Sequence, residues 1–356
     1  MNYFAKNRWF VIMIFALLAM FILFMFMLIR PLLMGIYAFL AAVLAPFAIA
    51  MTISYVLNPI VNLLNKRRVP RTIAVLLIYA VFLVSITVIL MNLIPIFMEQ
   101  LGEINEHMPQ FTVKAQNLMD TVKDNQFLPD SVEKGIHTAL YKFEAGISKL
   151  ITSYINGIGN TINMLFIAFI IPFLAFYILK DFQLMEKAAL TFIPKKYREQ
   201  TVKLLVEIDI TLGSYIRGQF IVCIIVGVLA YIGYWIIGMP YLLLLASVVA
   251  VFNIIPYLGP YFGAAPALIM AASVSWKMVL YVAIVNTLVQ ILEGNIISPQ
   301  VVGKTLHMHP LFIIFALLVG GELAGIIGLI LAVPFFAVLK VIYLHISAQY
   351  NHQKPV

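Results

Sequence analysis

Long apolar stretches, separated by short polar islands, run along the whole chain. About 20 consecutive apolar residues are enough to cross the hydrocarbon core of a bilayer as a helix. By this measure the sequence predicts eight spans: Trp9–Ile29, Leu32–Leu57, Ile73–Phe97, Ile151–Leu179, Gln219–Ile237, Tyr241–Ser273, Val279–Ile297 and Leu311–Ile342. The pattern is typical of an all-α, polytopic integral membrane protein.

The longest uncharged stretch contains 59 residues between Arg217 and Lys277. Two plain spans use about 40 residues, so if both flanking charges lie on the same side roughly 19 are spare. Proline denies a continuous helix its hydrogen-bond ladder, and three prolines fall within Asn253–Pro266. We expect a broken or re-entrant segment there. Long tilted helices with a proline kink are the alternative.

Composition and charge place the chain in a membrane. Hydrophobic residues make up 63% and charged residues 11%, which excludes a soluble domain. The net charge of +8 indicates cytoplasmic loops and no nucleic-acid partner, because basic residues collect in such loops. The clusters at 66–71 and 180–203 then share the cytoplasmic side with Lys6 and Arg8. We expect a multi-pass protein of the cell (inner) membrane with both termini cytoplasmic.

Five regions are expected from this topology. They are an N-terminal three-span region (1–98), an extracytoplasmic amphipathic segment (99–150), a fourth span plus a cytoplasmic amphipathic segment (151–217), a C-terminal transport core (218–345) and a cytoplasmic tail (346–356). Segment 99–149 carries eight acidic and five basic residues, which suits the outer face. Its apolar residues recur at helical spacing, which predicts two or three helices on the bilayer or against neighbouring subunits.

Polar groups inside a span are costly, so they are candidates for a transport path or gate. Arg217 and Gln219 lead into the fifth span. Arg217 is interpreted as a partner of Asp209, as a ligand for an anion, or as a lipid-facing anchor. The next candidates share the expected break, where freed backbone groups can line a path: Asn253, Pro256, Gly259, Pro260 and Gly263.

A third group of candidates lies in and after the seventh span. Asn286, Gln290 and Glu293 fall at i, i+4 and i+7, so they share one face of a helix. Such a polar stripe is expected to face a cavity or another helix. Glu293 is the leading cation- or proton-linked carboxylate, and an ion pair with Lys304 or Arg217 is the alternative. Asn295, Pro299 and Gln300 complete the group.

The last apolar run contains a lone acid, Glu322, among glycines at 320, 321, 325 and 328. Small residues at this spacing permit tight packing or a second helix break. Cys223 is the only cysteine, and His307 and His309 lack a third ligand, so we expect no metal and no cofactor. The common hydrolase and phosphate-binding motifs are absent from the sequence, and we expect no enzyme.

The second half carries motifs that are weak singly and specific together: Tyr215-Ile216-Arg217-Gly218-Gln219, Pro256-Tyr257-Leu258-Gly259-Pro260, Glu293-Gly294-Asn295, Ser298-Pro299-Gln300-Val301-Val302-Gly303-Lys304, His309-Pro310 and Ala332-Val333-Pro334. With them the chain resembles the autoinducer-2 exporter family, over nearly its whole length. The third loop carries no matching motif. The resemblance implies a homo-oligomeric inner-membrane permease, with a pentamer as one candidate assembly. Family members are linked to autoinducer-2 export or to sodium–proton exchange.

Three functions compete on this basis. The first is a secondary transporter that exports a small polar solute by alternating access. The second is a monovalent cation–proton antiporter in which Glu293 or Glu322 exchanges a proton for sodium. The third is a scaffold in a membrane assembly that transports nothing.

Overall fold

The computed structural model describes residues 8–123, 135, 138, 141–143, 145–149, 152, 161–191, 193–302 and 308–352. These residues form helices and no strand. The helices are α1 (Arg8–Lys66), α2 (Arg71–Lys123), α3 (Thr161–Thr191), α4 (Arg198–Ile236), α5 (Leu242–Phe252), α6 (Gly259–Val274), α7 (Trp276–Leu292), α8 (Ser298–Val301) and α9 (Pro310–His352). A 3₁₀ turn (Lys195–Tyr197) precedes α4, and a π-helical turn (Glu293–Ile297) joins α7 to α8.

Five stretches within the described residues are long and apolar enough to cross a membrane: Ile12–Lys66, Arg71–His107, Lys195–Ile236, Trp276–Val301 and Pro310–Ala348. Two shorter apolar helices, α5 and α6, lie between the third and the fourth of these. The prediction of an all-α polytopic membrane protein is therefore confirmed.

The first two predicted spans form a single helix. Helix α1 runs for 59 residues through Pro31, Pro46 and Pro59. At 1.5 Å per residue it is about 88 Å long, whereas the apolar core of a bilayer is about 30 Å thick. The predicted boundary at Arg30-Pro31 is wrong, because a single proline removes only one backbone donor and no loop-forming residues come after it. The structure does not reproduce the count of eight separate spans.

Helix α2 also extends past its predicted end at Phe97 and continues to Lys123. Ile104, in this extension, is fully buried and shares a core cluster with Ile147 and Met239. The start of the predicted outer segment therefore packs within its own chain instead of lying on the bilayer. Much of the remainder of this predicted segment, including residues 124–134, lies outside the described residues.

Helices α4 and α7 pack side by side and run in opposite directions. A Cβ on Gly233 would overlap Val285, and a Cβ on Gly218 would lie 3.1 Å from the Cα of Val302. Lys277, at the start of α7, therefore lies at the opposite end of this pair from Arg217. The condition that Arg217 and Lys277 lie on the same side is therefore not met. Helix α4 crosses once between the two charges. The segment between α4 and α7 then turns back to the end of the bundle at which α4 ends.

That returning segment is a helical hairpin formed by α5 and α6, called here the first hairpin. Its helices have 11 and 16 residues, about 17 and 24 Å, so neither is as long as a bilayer core is thick. A Cβ on Gly263 would lie 2.8 Å from the Cα of Val249, so the two backbones touch. The predicted break is confirmed at residues 253–258, whereas Pro266 lies inside α6.

A second hairpin lies within α9. Ala324 and Gly325 leave the helical conformation, and Gly325 has a φ of 57°, which suits glycine. A Cβ on Gly320 would lie 2.5 Å from the carbonyl oxygen of Gly328. Residues eight apart in a straight helix are separated by about 12 Å, so this contact requires the chain to reverse. The predicted second helix break is present, and its arms are residues 310–323 and 326–352.

The two hairpins meet in one buried cluster. Ile255, from the turn of the first hairpin, packs with Leu317 and Val333, which belong to the two arms of the second. Tyr215 of α4 joins them and is 4% exposed. Any displacement of the first hairpin therefore acts on the second hairpin through direct contact.

Candidate functional site

The candidate site is built on the turn of the first hairpin, residues 253–258. Helix α5 ends at Phe252, and Tyr257 adopts a left-handed φ of 62°. Pro260 lies in the first turn of α6, where the missing N–H costs no helical hydrogen bond. A Cβ on Gly259 would overlap the carbonyl oxygen of Phe252, so only glycine allows this turn to close so tightly. Pro256 lies in the turn itself.

Asn253 connects this turn to both neighbouring helices. Its side chain is 1% exposed. Its carbonyl oxygen accepts a hydrogen bond from Gln219 Nε2 of α4 at 2.7 Å, and its Nδ2 donates to Glu293 Oε1 at 3.2 Å. The Oδ1 atom is buried and has no partner among the described residues. Three elements thus converge on one polar residue inside an apolar bundle.

Glu293 starts the π-helical turn and is half-buried. Its Oε2 accepts a hydrogen bond from Gln290 Nε2 at 2.7 Å, so both carboxylate oxygens bind side-chain amides. Within the described residues no basic group lies within 4.0 Å of it. The alternative ion pair with Arg217 is not formed, and Lys304 lies outside the described residues. An acid held by neutral amides at membrane depth can accept a proton or hold a small cation.

Asn286 belongs to the same helical face as Gln290 and Glu293. Its Oδ1 accepts a hydrogen bond from the hydroxyl of Tyr234 at 2.9 Å, and its Nδ2 donates to the carbonyl oxygen of Val282. Tyr234 is fully buried on α4. The polar stripe of α7 therefore lies against α4 and the first hairpin. Sequence reasoning missed Tyr234, because a tyrosine in an apolar run gives no clear polar signal.

The structure does not bring the other predicted residues into this network. Asn295 is exposed and donates to the carbonyl oxygen of Ile291 in its own helix. Pro299 and Gln300 are exposed in α8. Glu322 is exposed at the turn of the second hairpin, two residues before Ala324. Their roles in a path or gate stay predictions.

Arg217 lies near a different polar group. Its Nη1 would be 2.8 Å from a Cβ on Gly213, next to the ring of Tyr55. The hydroxyl of Tyr55 donates to Asp209 Oδ1 at 2.9 Å, which ties α1 to α4. Arg217 and Asp209 are not within ion-pair distance in the structure. Tyr55 was missed by the sequence analysis, and only the contact between α1 and α4 identifies it.

The arrangement as a whole defines a class of protein. Long apolar helices pack with two hairpins, and the arms of the first are too short to span a bilayer. Non-helical backbone at membrane depth is tolerated where protein or a cavity satisfies it. The buried amide of Asn253, two half-buried glutamine amides and the half-buried carboxylate of Glu293 converge on the turn of the first hairpin. This is the architecture of a polytopic membrane transporter with discontinuous helices.

Comparison with known proteins agrees with that class. Residues 10–348 match the model of the AI-2E family transporter. The chain belongs to this family and is a membrane transporter, or permease.

Several relatives are named as transport proteins or permeases. The chain is 40% identical over 339 residues to the "Putative transport protein YrrI" of Bacillus subtilis (strain 168), which covers 95% of each chain. It is 36% identical to the "Putative transport protein YueF" of the same organism, over 86% of this chain and 85% of the relative. The "Putative permease PerM" of Escherichia coli (strain K12) is 26% identical, over 86% and 88%.

Proposed function

We propose that the chain is a secondary transporter that exports a small polar solute of the autoinducer-2 kind by alternating access. The observation that supports this most directly is Asn253, a buried polar residue at the turn of a re-entrant hairpin. It is held by Gln219 on one side and by Glu293 on the other. In transporters built from discontinuous helices, the solute and coupling-ion sites lie at such interruptions.

The first hairpin is the moving element in this proposal. Its own arms touch through glycine backbone, and its interface with α4 and α7 is mostly apolar with few hydrogen bonds, so it can slide as one unit. A shift breaks the bonds of Asn253 to Gln219 and Glu293 and opens the turn to one side of the membrane. Solute binding to the freed amides then replaces the broken bonds, which keeps their polar atoms satisfied.

A specific observation also favours the cation–proton antiporter as a second candidate. Asn253 Oδ1 is buried without a partner among the described residues. The Nδ2 atom of the same amide group donates a hydrogen bond to the Glu293 carboxylate. Carboxylate and amide oxygens are the ligands that hard cations prefer. Rotation of this amide would present two oxygens to a sodium ion, and protonation of Glu293 would release it.

The proposal extends to assembly and orientation. We propose a homo-oligomer, with a pentamer as the candidate stoichiometry, in the cell membrane with both termini cytoplasmic. Basic residues at 66–71, on the turn between α1 and α2, favour the cytoplasmic side for that turn under the positive-inside rule. Because α1 is one continuous helix, its N-terminal end lies far from this turn, so the cytoplasmic N-terminus is supported only by Lys6 and Arg8. Cross-linking in membranes measures the oligomer, and reporter fusions at each terminus measure the orientation.

Flux into proteoliposomes tests the proposal. The purified chain is reconstituted and assayed against a panel of small polar solutes, including autoinducer-2, with and without a sodium gradient. Glu293→Gln removes the charge and keeps the shape, and Glu207→Gln is the matched control because Glu207 is exposed on α4. Solute flux that is independent of the sodium gradient and is lost in Glu293→Gln supports the exporter.

Two other outcomes separate the remaining candidates. Sodium-driven proton movement, measured with an internal pH dye and lost in Glu293→Gln, supports the antiporter and contradicts the exporter. No flux of any solute or cation, together with a cellular phenotype that survives Glu293→Gln and Glu322→Gln combined but not deletion of the chain, contradicts both and supports the scaffold.

A further inference from the structure

Two adjoining cavities lie along the contact between α1 and α4, and the larger one also borders Gln219 and the first hairpin. One has a volume of about 630 Å³ and the other about 470 Å³. Both are lined by Met51 of α1 and Leu212 of α4, so they share a wall. The smaller one is called here the polar cavity and the larger one the apolar cavity. The difference in chemistry between the two cavities indicates which kind of molecule they bind together.

The polar cavity contains one acid and one base at separate places. Asp209 binds only the neutral hydroxyl of Tyr55 and forms no ion pair among the described residues. Asn58 Oδ1 is buried without a partner there. Arg71 uses Nε and Nη2 to bind the carbonyl oxygen of Leu179, which leaves Nη1 without a described partner. The lining of the cavity therefore includes acceptors from α1 and α4 and a cationic donor from α2.

The apolar cavity continues from the polar one along the same two helices. Its wall on α4 runs from Leu212 to Ile224, about 18 Å at 1.5 Å per residue. This is close to the thickness of the hydrocarbon in one leaflet, about 15 Å. Ala48 and Met51 of α1, residues 250, 251 and 254 of the first hairpin and the second arm of α9 complete a wall that consists almost wholly of carbon.

We propose that the two cavities together bind one phospholipid whose headgroup carries both an ammonium and a phosphate, as in phosphatidylethanolamine. The ammonium lies against Asp209 and the Asn58 oxygen, the phosphate against Arg71, and an acyl chain fills the apolar cavity. A small soluble solute would leave the apolar cavity empty. An anionic lipid without an ammonium would leave Asp209 facing a like charge, which is unfavourable.

The position of the polar cavity fits a headgroup. Arg71 begins the apolar stretch Arg71–His107, so it lies where a span meets the interface. The basic turn at 66–71 is adjacent, and basic residues near a span favour the headgroup region of the cytoplasmic leaflet. The apolar cavity then extends inward from that interface, in the direction that an acyl chain takes.

Native mass spectrometry of the full chain in detergent tests the assignment. Phosphatidylethanolamine and phosphatidylglycerol with identical acyl chains are added at equal concentration. We expect about tenfold preference for phosphatidylethanolamine, because one charge-assisted contact distinguishes the two lipids. Asp209→Asn removes the preference, whereas Glu207→Gln, on the same helix but exposed, retains it. We expect Arg71→Gln to weaken the binding of both lipids, and Arg67→Gln, at an exposed position, to weaken the binding of neither.

Cys223 provides a second readout that needs no variant. It lines the apolar cavity and is the only cysteine in the chain. We expect alkylation of Cys223 by an apolar maleimide to speed up at least fivefold on delipidation and to slow again when phosphatidylethanolamine is returned. Equal binding of both lipids, or an alkylation rate that lipid does not change, overturns the proposal. So does a change of oligomeric state in Asp209→Asn without any lipid adduct, which would assign the cavities to a second copy of the chain.

Discussion

Substitution of Gly263 by alanine tests the packing of the first hairpin. The added Cβ would lie 2.8 Å from the Cα of Val249 and 3.4 Å from its carbonyl oxygen. Ordinary contact begins near 3.4 Å, so the two arms must separate by about 0.6 Å. The obstructing atoms belong to the backbone and cannot rotate away. The strain therefore falls on the whole hairpin and on the Asn253 turn that it holds.

The expected cost follows from the energetics of overpacking. Inserting one methyl into a packed interface costs about 1–3 kcal/mol. Alanine is also more favourable than glycine in a helix by about 1 kcal/mol, which offsets part of the cost of the clash. Gly294→Ala is the matched control, because it lies in a helical turn and its Cβ would have nothing within 4 Å. The difference between the two variants isolates the clash.

Thermal unfolding in detergent measures that difference. We expect Gly263→Ala to have an apparent Tm several degrees below that of Gly294→Ala, since about 1 kcal/mol shifts Tm by roughly 2–4 °C in proteins of 150–250 residues. Equal Tm values for the two alanine variants would show that α5 and α6 do not touch at Gly263. The hairpin, and with it the position of Asn253, would then be wrong.

Three further substitutions probe the remaining features. Gly328→Ala places a Cβ against the carbonyl oxygen of Gly320, and we expect it to lower the apparent Tm at least as much as Gly263→Ala does; an unchanged Tm would argue against the second hairpin. Tyr234→Phe leaves Asn286 Oδ1 without its donor and should cost about 1 kcal/mol of stability in the same assay. An unchanged Tm would refute the hydrogen bond between α4 and α7. Glu322→Gln should shift Tm by less than about 1 °C, because this exposed acid has no described partner, and a large loss would show that it is buried.

Much of the fold follows from hydrophobic pattern alone. The apolar runs predict the membrane class. The prolines and glycines at 253–266 favour a helix break over a kink, and the glycines at 320–328 allow a second break or tight packing, because these residues weaken a regular helix locally. The α7 stripe is equally local, since i, i+4 and i+7 spacing places Asn286, Gln290 and Glu293 on one face.

The remainder depends on contacts that no local pattern encodes. Tyr55 and Tyr234 matter only because other helices bring Asp209 and Asn286 to them. The end of a helix depends on the residues beyond it and on their packing, so Pro31 did not end α1 and α2 continued past Phe97. The condition that Lys277 lies on the same side as Arg217 is not met for the same reason, because the number of crossings depends on which apolar stretch turns back.

The roles of Asn253 and its neighbours rest on whether the turn of the first hairpin opens to water. The most direct measurement is labelling of Asn253→Cys, in a Cys223→Ser background, by a membrane-impermeant maleimide added to either side of sealed vesicles. Lys277→Cys and Glu207→Cys are the sided controls, because both positions are exposed and they lie toward opposite ends of the bundle. Asn253 is 1% exposed in this structure. Alternating access predicts that the cysteine at 253 reacts from both sides, more slowly than either control. No reaction from either side, with both controls reacting, would contradict the account.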